Sequence, residues 1–324
     1  MAIIPLFGMK ASSLAKLAKI GSRSLPVLSV FRTHKFVRTL IKLVAGSVLT
    51  FSVAAVGHSL NRCPQTGRYR LLMTSPDEDV EIGNRMSHSL LSSLPKDAVL
   101  PSSHPLTRLC QRLVDRISLA CDFEKGQNPA FEIIVVSDTL KNAYSIPNGD
   151  IVVHAGLIGD VRNEDELAGL LAHEMAHTIL RHSSEVVSIS DLARVPSGFL
   201  YSAIALTGPG VISGALRWLA VEMTQPERLL AELPTSRRLE AEADQYGVDL
   251  MVRAGYSPRK FLEYWKRQPE DDAKNYFAST HPHSRDRIRS LEEYIERMPR
   301  HKDESRRTSD PTLQYWIERI SSQL

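Results

Sequence analysis

The segment NEDELAGLLAHEMAHTILRH, which begins at Asn163, constrains the fold of this chain more than any other part of the sequence. Asn163 followed by Glu166 is a helix-start pattern, and the apolar residues after it recur at helical spacing. On that helix His173 and His177 lie one turn apart on the same face, so two imidazoles can bind one metal ion. Glu174 lies beside them, where it can take a proton from a zinc-activated water. The segment therefore predicts a helix that carries part of a hydrolytic metal site.

A third metal ligand is expected on another element, because a zinc ion in a hydrolytic site takes three protein ligands and a water. Residues 236–254, SRRLEAEADQYGVDLMVRA, are predicted to form a capped helix that offers three carboxylates. Glu240 and Asp244 are four residues apart and share a face with small residues, which allow a close approach of two helices. We predict Glu240 as the third ligand of one zinc ion. Asp244 is predicted to accept a hydrogen bond from the imidazole of His173, and Glu242 to be a solvated surface charge.

Charge is distributed unevenly along the chain. Eleven of the 40 basic residues, but none of the 37 acidic residues, precede Asp77. An acid-free start that is rich in serine and basic residues is typical of a mitochondrial presequence, and a basic tail is the alternative. We predict such a leader over residues 1–39. The net charge of +3 argues against nucleic-acid binding, and the three isolated cysteines exclude a disulfide scaffold.

Residues 40–57, LIKLVAGSVLTFSVAAVG, form an apolar run that only Lys42 interrupts. A helix of this length extends ~27 Å at 1.5 Å per residue, just enough to cross the hydrocarbon core of a bilayer. We predict one N-terminal transmembrane anchor here, with a buried core helix as the alternative. Most of the basic residues before Asp77 precede the apolar run. The segment before the run is therefore expected to stay inside, and the chain after the run to cross the membrane. A second apolar stretch, residues 198–223, is predicted as two short helices that lie either in the core or at the membrane surface.

The remainder of the body predicts an α+β fold that is mostly helical. Helices are expected over residues 79–94 and from Pro105 onward, where the apolar residues recur at helical spacing. The β-branched run at residues 131–137 predicts a buried strand. We expect a small sheet over residues 131–154 beside the HEMAH helix, with its hairpin strands at or near an edge. Residues 299–324 are predicted to form a charged linker and a C-terminal amphipathic helix.

Four motifs in order match a known family: NAYSIPNGDIVVHAGLI, HEMAH, LEAEAD and THPHSRDRI. Together they resemble the membrane-associated zinc metallopeptidases that include the CAAX prenyl proteases and the HtpX type. The PQTGRYRLL segment and the single anchor resemble the Oma-type branch, the mitochondrial inner-membrane metalloendopeptidases. The match covers about residues 61–298, which we predict to be a zinc metallopeptidase domain. The resemblance implies a gluzincin-type fold and one zinc ion held by His173, His177 and Glu240, with Glu174 as the catalytic base.

The resemblance also assigns residues in the downstream segment THPHSRDRI. It implies that His281 and Arg287 lie near the active-site cleft, and the sequence leaves open whether His281 or His283 approaches the metal. We predict that a protonated His281 or Arg287 stabilises the oxyanion formed at the scissile carbonyl. His182, five residues beyond the second motif histidine, is expected on a different helical face. His182 and His154 are both predicted to be ordinary residues without a role in the site.

Substrate binding is predicted at the small sheet. An extended peptide can add to an exposed strand edge, and either residues 143–146 or residues 150–154 would supply that edge. Asn142, Ala143 and Tyr144 are therefore the predicted substrate-binding residues.

The sequence and its resemblance together predict a membrane-anchored zinc metalloendopeptidase that cleaves membrane or misfolded proteins. The resemblance implies quality control at the mitochondrial inner membrane, with a single-pass topology that places the catalytic domain in the intermembrane space. Expected partners are protein substrates in or near the membrane, among them an inner-membrane dynamin-like GTPase, and membrane lipid. A homo-oligomer is compatible with the sequence, and no nucleic acid is expected. The alternatives are a non-proteolytic chaperone or scaffold with the same fold, and a CAAX-type prenyl peptidase, which would require several membrane spans.

Overall fold

A computed structural model describes residues 34–123, 129–192, 234–268, 281, 285–299 and 311–321. The chain divides into two compact units, Met1–His58 and Ser59–Leu324. Most of the predicted leader, the apolar stretch at residues 198–223 and most of the charged linker lie outside the described residues.

The first unit carries helix α1 (His34–Ser59), which contains the apolar run predicted as a membrane anchor. Within the described residues, no helix combines the length and the apolar content that a bilayer crossing needs. The transmembrane anchor is therefore not confirmed.

The second unit is mostly helical, as the sequence predicts, and it contains two small sheets. Its strands are β1 (Leu60–Arg62), β2 (Tyr69–Leu71), β3 (Ile133–Val136), β4 (Ala143–Ser145) and β5 (Ile151–His154). Its helices include α2 (Pro76–Ser93), α3 (Pro105–Ser118), α4 (Ala155–Asp160), α5 (Glu164–Ile179), α6 (Pro234–Arg253), α7 (Pro258–Arg267), α8 (Arg285–Arg297) and α9 (Pro311–Ser321). Residues 182–192 are also helical.

The larger sheet has the strand order β3-β5-β4. Strand β5 pairs in parallel with β3, where Ile133 lies opposite Ile151, and antiparallel with β4, where Tyr144 lies opposite Val152. All four residues of β5 are buried, as expected for a central strand with neighbours on both sides. The expectation that both hairpin strands lie near an edge is thus correct for β4 and wrong for β5. The sequence pattern also missed the β1–β2 hairpin, which is a separate antiparallel pair.

Helix α5, which carries HEMAH, runs through the middle of the hydrophobic core. Its first turn is capped by Asn163, whose side chain accepts a hydrogen bond from the Glu166 amide at 3.0 Å. The Glu166 carboxylate does not complete a reciprocal capping box, because it accepts from the Arg162 amide and pairs with Arg267. The helix is buried on nearly every side because it packs against α3, α6, α7 and β4.

Glycines allow the close approach of the helices around α5. A Cβ atom added at Gly247 of α6 would lie 3.2 Å from the backbone of His173, and one at Gly169 would lie 2.4 Å from the ring of Phe261. The second distance is far shorter than van der Waals contact, so α7 can pack at this spacing only against a glycine. The small residues of α6 therefore bring Glu240 within reach of the α5 histidines.

Candidate metal centre

Four side chains from three parts of the chain converge in the core. His173 and His177 project from α5, Glu240 projects from α6, and His281 lies just before α8. One ligand atom from each residue lies within 4.8 Å of those of the other three. His173, Glu240 and His281 are buried, and His177 is partly buried. The structure thus brings together the three ligands predicted from sequence and adds a fourth ligand atom, the third imidazole nitrogen.

The distances from His173 and from Glu240 to the other ligand atoms are close to those between the ligands of a tetrahedral zinc site. His173 Nε2 lies 3.1 Å from His177 Nε2, 3.4 Å from Glu240 Oε2 and 3.2 Å from His281 Nδ1. The Glu240 carboxylate lies 3.5 Å from His177 Nε2 and 3.0 Å from His281 Nδ1. Zinc bonds of ~2.0 Å at tetrahedral angles place ligand atoms ~3.3 Å apart. Three imidazole nitrogens and a carboxylate oxygen are ligands that zinc takes in proteins.

Asp244 lies one turn beyond Glu240 and orients His173. Its Oδ1 is 3.0 Å from His173 Nδ1, which leaves Nε2 of that imidazole facing the other ligand atoms. Burial raises the pKa of Asp244, but the charge and hydrogen bonds of Arg287 hold it below its usual range. Burial disfavours the charged form of His173, yet hydrogen bonds to Asp244 and Glu240 raise its pKa to about 9.

Arg287 is committed to the carboxylates rather than free to meet a substrate. Its Nε and Nη2 donate to the two oxygens of Asp244, and its Nη1 lies 3.0 Å from Glu240. Nη1 also donates to the His281 carbonyl, and the guanidinium lies 4.4 Å from the ring centroid of Trp265. Because every guanidinium nitrogen is engaged, the prediction that Arg287 stabilises the oxyanion does not fit this geometry. Arg287 instead holds two carboxylates and the segment of His281 in place.

Glu174 lies beside the ligand atoms with 1% of its surface exposed. Its Oε2 accepts a hydrogen bond of 3.0 Å from the backbone amide of Ser145, and its Oε1 lies 3.3 Å from His281 Nε2. Burial raises the pKa of this carboxyl above its ordinary value, against the lowering charge of His281. A carboxylate with a raised pKa is a stronger base, which is what proton abstraction near neutral pH requires.

His281 faces both the ligand atoms and the base. Its Nδ1 lies among the ligand atoms, and its Nε2 points at Glu174. Of the two histidines left open by the sequence, His281 is the one in the cluster, whereas His283 lies outside the described residues.

The model of Peptidase family M48 matches residues 105–295, more than half of the 324 residues. The chain belongs to peptidase family M48. The matched region contains all four cluster residues together with Glu174, Asp244 and Arg287.

Three relatives extend the M48 match beyond this region. The Mitochondrial metalloendopeptidase OMA1 of Schizosaccharomyces pombe is 34% identical over 203 residues, which cover 61% of this chain and 56% of that protein. The protein of the same name from Saccharomyces cerevisiae is 27% identical, with 73% of this chain and 69% of that protein covered. Metalloendopeptidase OMA1, mitochondrial, of Danio rerio is 28% identical, with 82% and 57% covered. The chain thus spans little more than half the length of two of these relatives.

Of the predicted substrate-binding residues of this M48 chain, Ala143 and Tyr144 lie on the edge strand β4, and Asn142 directly precedes it. Asn142 and Ala143 are almost fully buried, so their side chains do not meet a substrate. The His154 amide donates to the Asn142 carbonyl, and the Ile146 amide donates to the Asp150 carbonyl. Backbone groups alternate in direction along a strand, so those of Ala143 and Ser145 point away from β5.

Two residues that the sequence set aside belong to this M48 site. His182 is buried, and its Nδ1 lies 2.9 Å from Nδ1 of His177. Glu242 is not a solvated surface charge, because its carboxylate binds Arg68 and Thr66 and lies 3.4 Å from His182 Nε2. Helical periodicity missed both residues, because α5 ends before His182 and because the partners of Glu242 come from a distant hairpin.

Proposed function

We propose that this M48 protein is a zinc-dependent metalloendopeptidase of the gluzincin type, with residues 61–298 as its peptidase domain. One observation carries the proposal: imidazole and carboxylate ligand atoms at tetrahedral spacing lie beside the buried carboxylate of Glu174. His173, His177 and Glu240 would hold the metal and would leave a fourth position for water, the position that His281 Nδ1 faces. When bound, zinc supplies a Lewis acid that lowers the pKa of a water molecule and polarises a carbonyl group.

Glu174 is the general base in this proposal. Its carboxylate lies next to the ligand cluster and is held by the Ser145 amide at 3.0 Å, so its orientation is fixed before substrate arrives. The raised pKa makes Glu174 ready to accept a proton from water and later to pass it to the leaving amine. The other carboxylate oxygen, Oε1, lies 3.3 Å from His281 Nε2, so the base also faces the ligand cluster.

Substrate binds as an added strand along β4 in this proposal. The free edge of β4 leads directly to Glu174, because the residue whose amide holds the base, Ser145, is itself part of that edge. Because the Ser145 amide is occupied by Glu174, a peptide would pair with the Ala143 backbone and the Ser145 carbonyl, which would bring one of its own carbonyls to the cluster. Strand addition recognises backbone rather than termini, which suits cleavage inside a polypeptide.

We further propose that the protein acts in quality control at the mitochondrial inner membrane. The names of the OMA1 relatives, the acid-free leader and the apolar run at residues 40–57 support this location. In this proposal the run is a single-pass anchor, the peptidase domain faces the intermembrane space, and the substrates are membrane or misfolded proteins, including a dynamin-like GTPase. Membrane fractionation with protease protection tests the topology. A peptidase domain that is protected together with matrix proteins would contradict it.

Replacement of the proposed base tests the activity. Glu174→Gln keeps the shape of the side chain but cannot accept the proton, so cleavage of casein should fall by about 10² to 10⁴-fold while zinc stays bound. Glu263→Gln, an exposed carboxylate of α7, is the matched control and should cleave normally. Chelation should abolish cleavage, and zinc should restore it.

The same experiment separates the peptidase from a non-proteolytic chaperone or scaffold. A scaffold predicts that Glu174→Gln retains full function with zinc bound. Hydrolysis that survives complete removal of the metal would refute the proposed peptidase mechanism.

A further inference from the structure

The end of helix α5 contains an unusual backbone turn. Leu180 closes the helix in a right-handed conformation, and Arg181 then adopts a φ of 55°, the one positive value among the described non-glycine residues. A bulky residue in the left-handed region is uncommon, and other contacts must hold it there. In a continuous helix, His182 would lie on a different face from His177, which precedes it by five residues. The turn at Arg181 instead brings the two imidazoles together.

Two distant elements hold this turn. The Arg181 side chain donates to Asp79 at 2.7 Å and to the Thr74 carbonyl at 2.6 Å. Arg70, from strand β2, is buried and donates to the Leu180 carbonyl at 2.7 Å. The unfavourable backbone conformation is therefore fixed from both sides.

The consequence of the turn is a contact between two imidazoles. His182 Nδ1 lies 2.9 Å from His177 Nδ1, and His182 Nε2 lies 3.4 Å from a Glu242 oxygen. His177 presents Nε2 to the ligand cluster. With Nε2 used as a ligand atom, the neutral His177 ring carries its proton on Nδ1. Among the described residues, His182 Nδ1 lies within reach of that proton at 2.9 Å. As the acceptor, His182 then carries its own proton on Nε2, which faces Glu242.

We propose that His182 is a positioning residue for the metal centre. Its Nδ1 accepts the His177 Nδ1 proton, fixes the tautomer of that ligand and aims the His177 Nε2 lone pair at the cluster. This role is the counterpart of the contact between Asp244 and His173 on the other ligand. Glu242 in turn fixes the tautomer of His182, and Arg68 of the segment between β1 and β2 holds Glu242 at 2.6 Å. The inference rests on the metal site proposed above.

Two isosteric replacements separate this role from simple packing. His182→Asn keeps an oxygen acceptor near the position of Nδ1, whereas His182→Leu has nearly the same shape without an acceptor. The proposal predicts that the Leu variant of the full-length protein binds zinc about 10 to 100-fold more weakly, and that the Asn variant stays within a few-fold of the unchanged protein. A packing role predicts the opposite order, because a buried apolar side chain suits the core better than an amide.

Zinc affinity is measured by competition with a chromophoric chelator, beside thermal unfolding of the metal-free protein. His154→Leu is the matched control, because His154 is also buried beside a carboxylate, Asp138 at 2.9 Å, and lies outside the ligand cluster. Its zinc affinity should not change. A Leu variant that binds zinc as well as the Asn variant would overturn the inference, whereas an unchanged protein that binds no zinc would overturn the metal site itself.

A measurement on the unchanged, zinc-loaded protein does not depend on any variant folding. Nuclear magnetic resonance of the protein labelled with ¹⁵N at histidine reports which ring nitrogen carries the proton. The proposal predicts a proton on Nδ1 of His177 and on Nε2 of His182. A proton on Nδ1 of His182 would refute it.

Discussion

Removal of Arg287 should destabilise the metal-free protein more than any surface substitution on the same helix. Arg287 is 8% exposed and lies between Asp244 and Glu240, two carboxylates that are also buried. Arg287→Met keeps much of the side-chain length but leaves both carboxylates without the guanidinium that faces them. Breaking a buried ion pair in this way costs about 3–5 kcal/mol. For a unit of this size that loss corresponds to a fall in Tm of roughly 10 °C.

Thermal unfolding of the metal-free full-length protein, followed by circular dichroism, measures the effect. Arg297→Met is the matched control, because Arg297 lies on the same helix and pairs with Glu293 while 76% of its side chain is exposed. It should change stability by less than about 1 kcal/mol. Arg287→Lys should recover only part of the loss, since one ammonium group cannot reproduce the two-pronged contact with Asp244. Equal Tm values for Arg287→Met and Arg297→Met would refute this account of the buried carboxylates.

Three other predictions concern the Glu242 carboxylate, the packing of α6 on α5, and the edge strand β4. Burial raises the pKa of Glu242, but hydrogen bonds to His182 and Thr66 bring it down to about 2 from 4.5. The ionised Glu242 therefore stabilises the fold fully above pH 4.5, and this stabilisation is lost as the pH falls towards 2. Urea unfolding should show the difference between the unchanged protein and Glu242→Gln shrinking on acidification, and a constant difference would contradict this. Gly247→Leu should push α6 away from α5 and weaken zinc binding by at least ~10-fold in chelator competition, because ligand positions tolerate only small shifts. Ala143→Pro removes an outward-facing amide from the edge strand and should raise KM for cleavage without changing zinc affinity; an unchanged KM would contradict substrate addition along β4.

The elements around the metal centre could be predicted from sequence because their signals are local. Helix α5 begins at the predicted cap, Asn163, and its two histidines lie one turn apart because helical geometry requires it. The small residues near Glu240 also indicated a close approach of α6, which Gly247 now explains. The structure confirms the mostly helical fold, and the match to Peptidase family M48 confirms the family.

The contacts that the sequence missed are all long-range or depend on an unusual backbone conformation. Arg287 was expected to face the substrate, because nothing in its local sequence reveals that Asp244, 43 residues away, accepts its hydrogen bonds. The central position of β5 depends on parallel pairing with β3, which strand periodicity cannot distinguish from a simple hairpin. His182 was set aside because helical spacing was extended through Arg181, where the backbone turns left-handed.

The zinc first shell of the purified full-length protein tests the central claim most directly. Metal analysis combined with X-ray absorption at the zinc edge should show one zinc per chain, surrounded by nitrogen and oxygen at about 2.0–2.1 Å with the outer scattering of imidazole rings. His173→Ala should lose this signal, since that imidazole lies at the centre of the cluster. Sulfur at about 2.3 Å, or a full complement of zinc in the His173→Ala variant, would place the metal elsewhere and contradict the account.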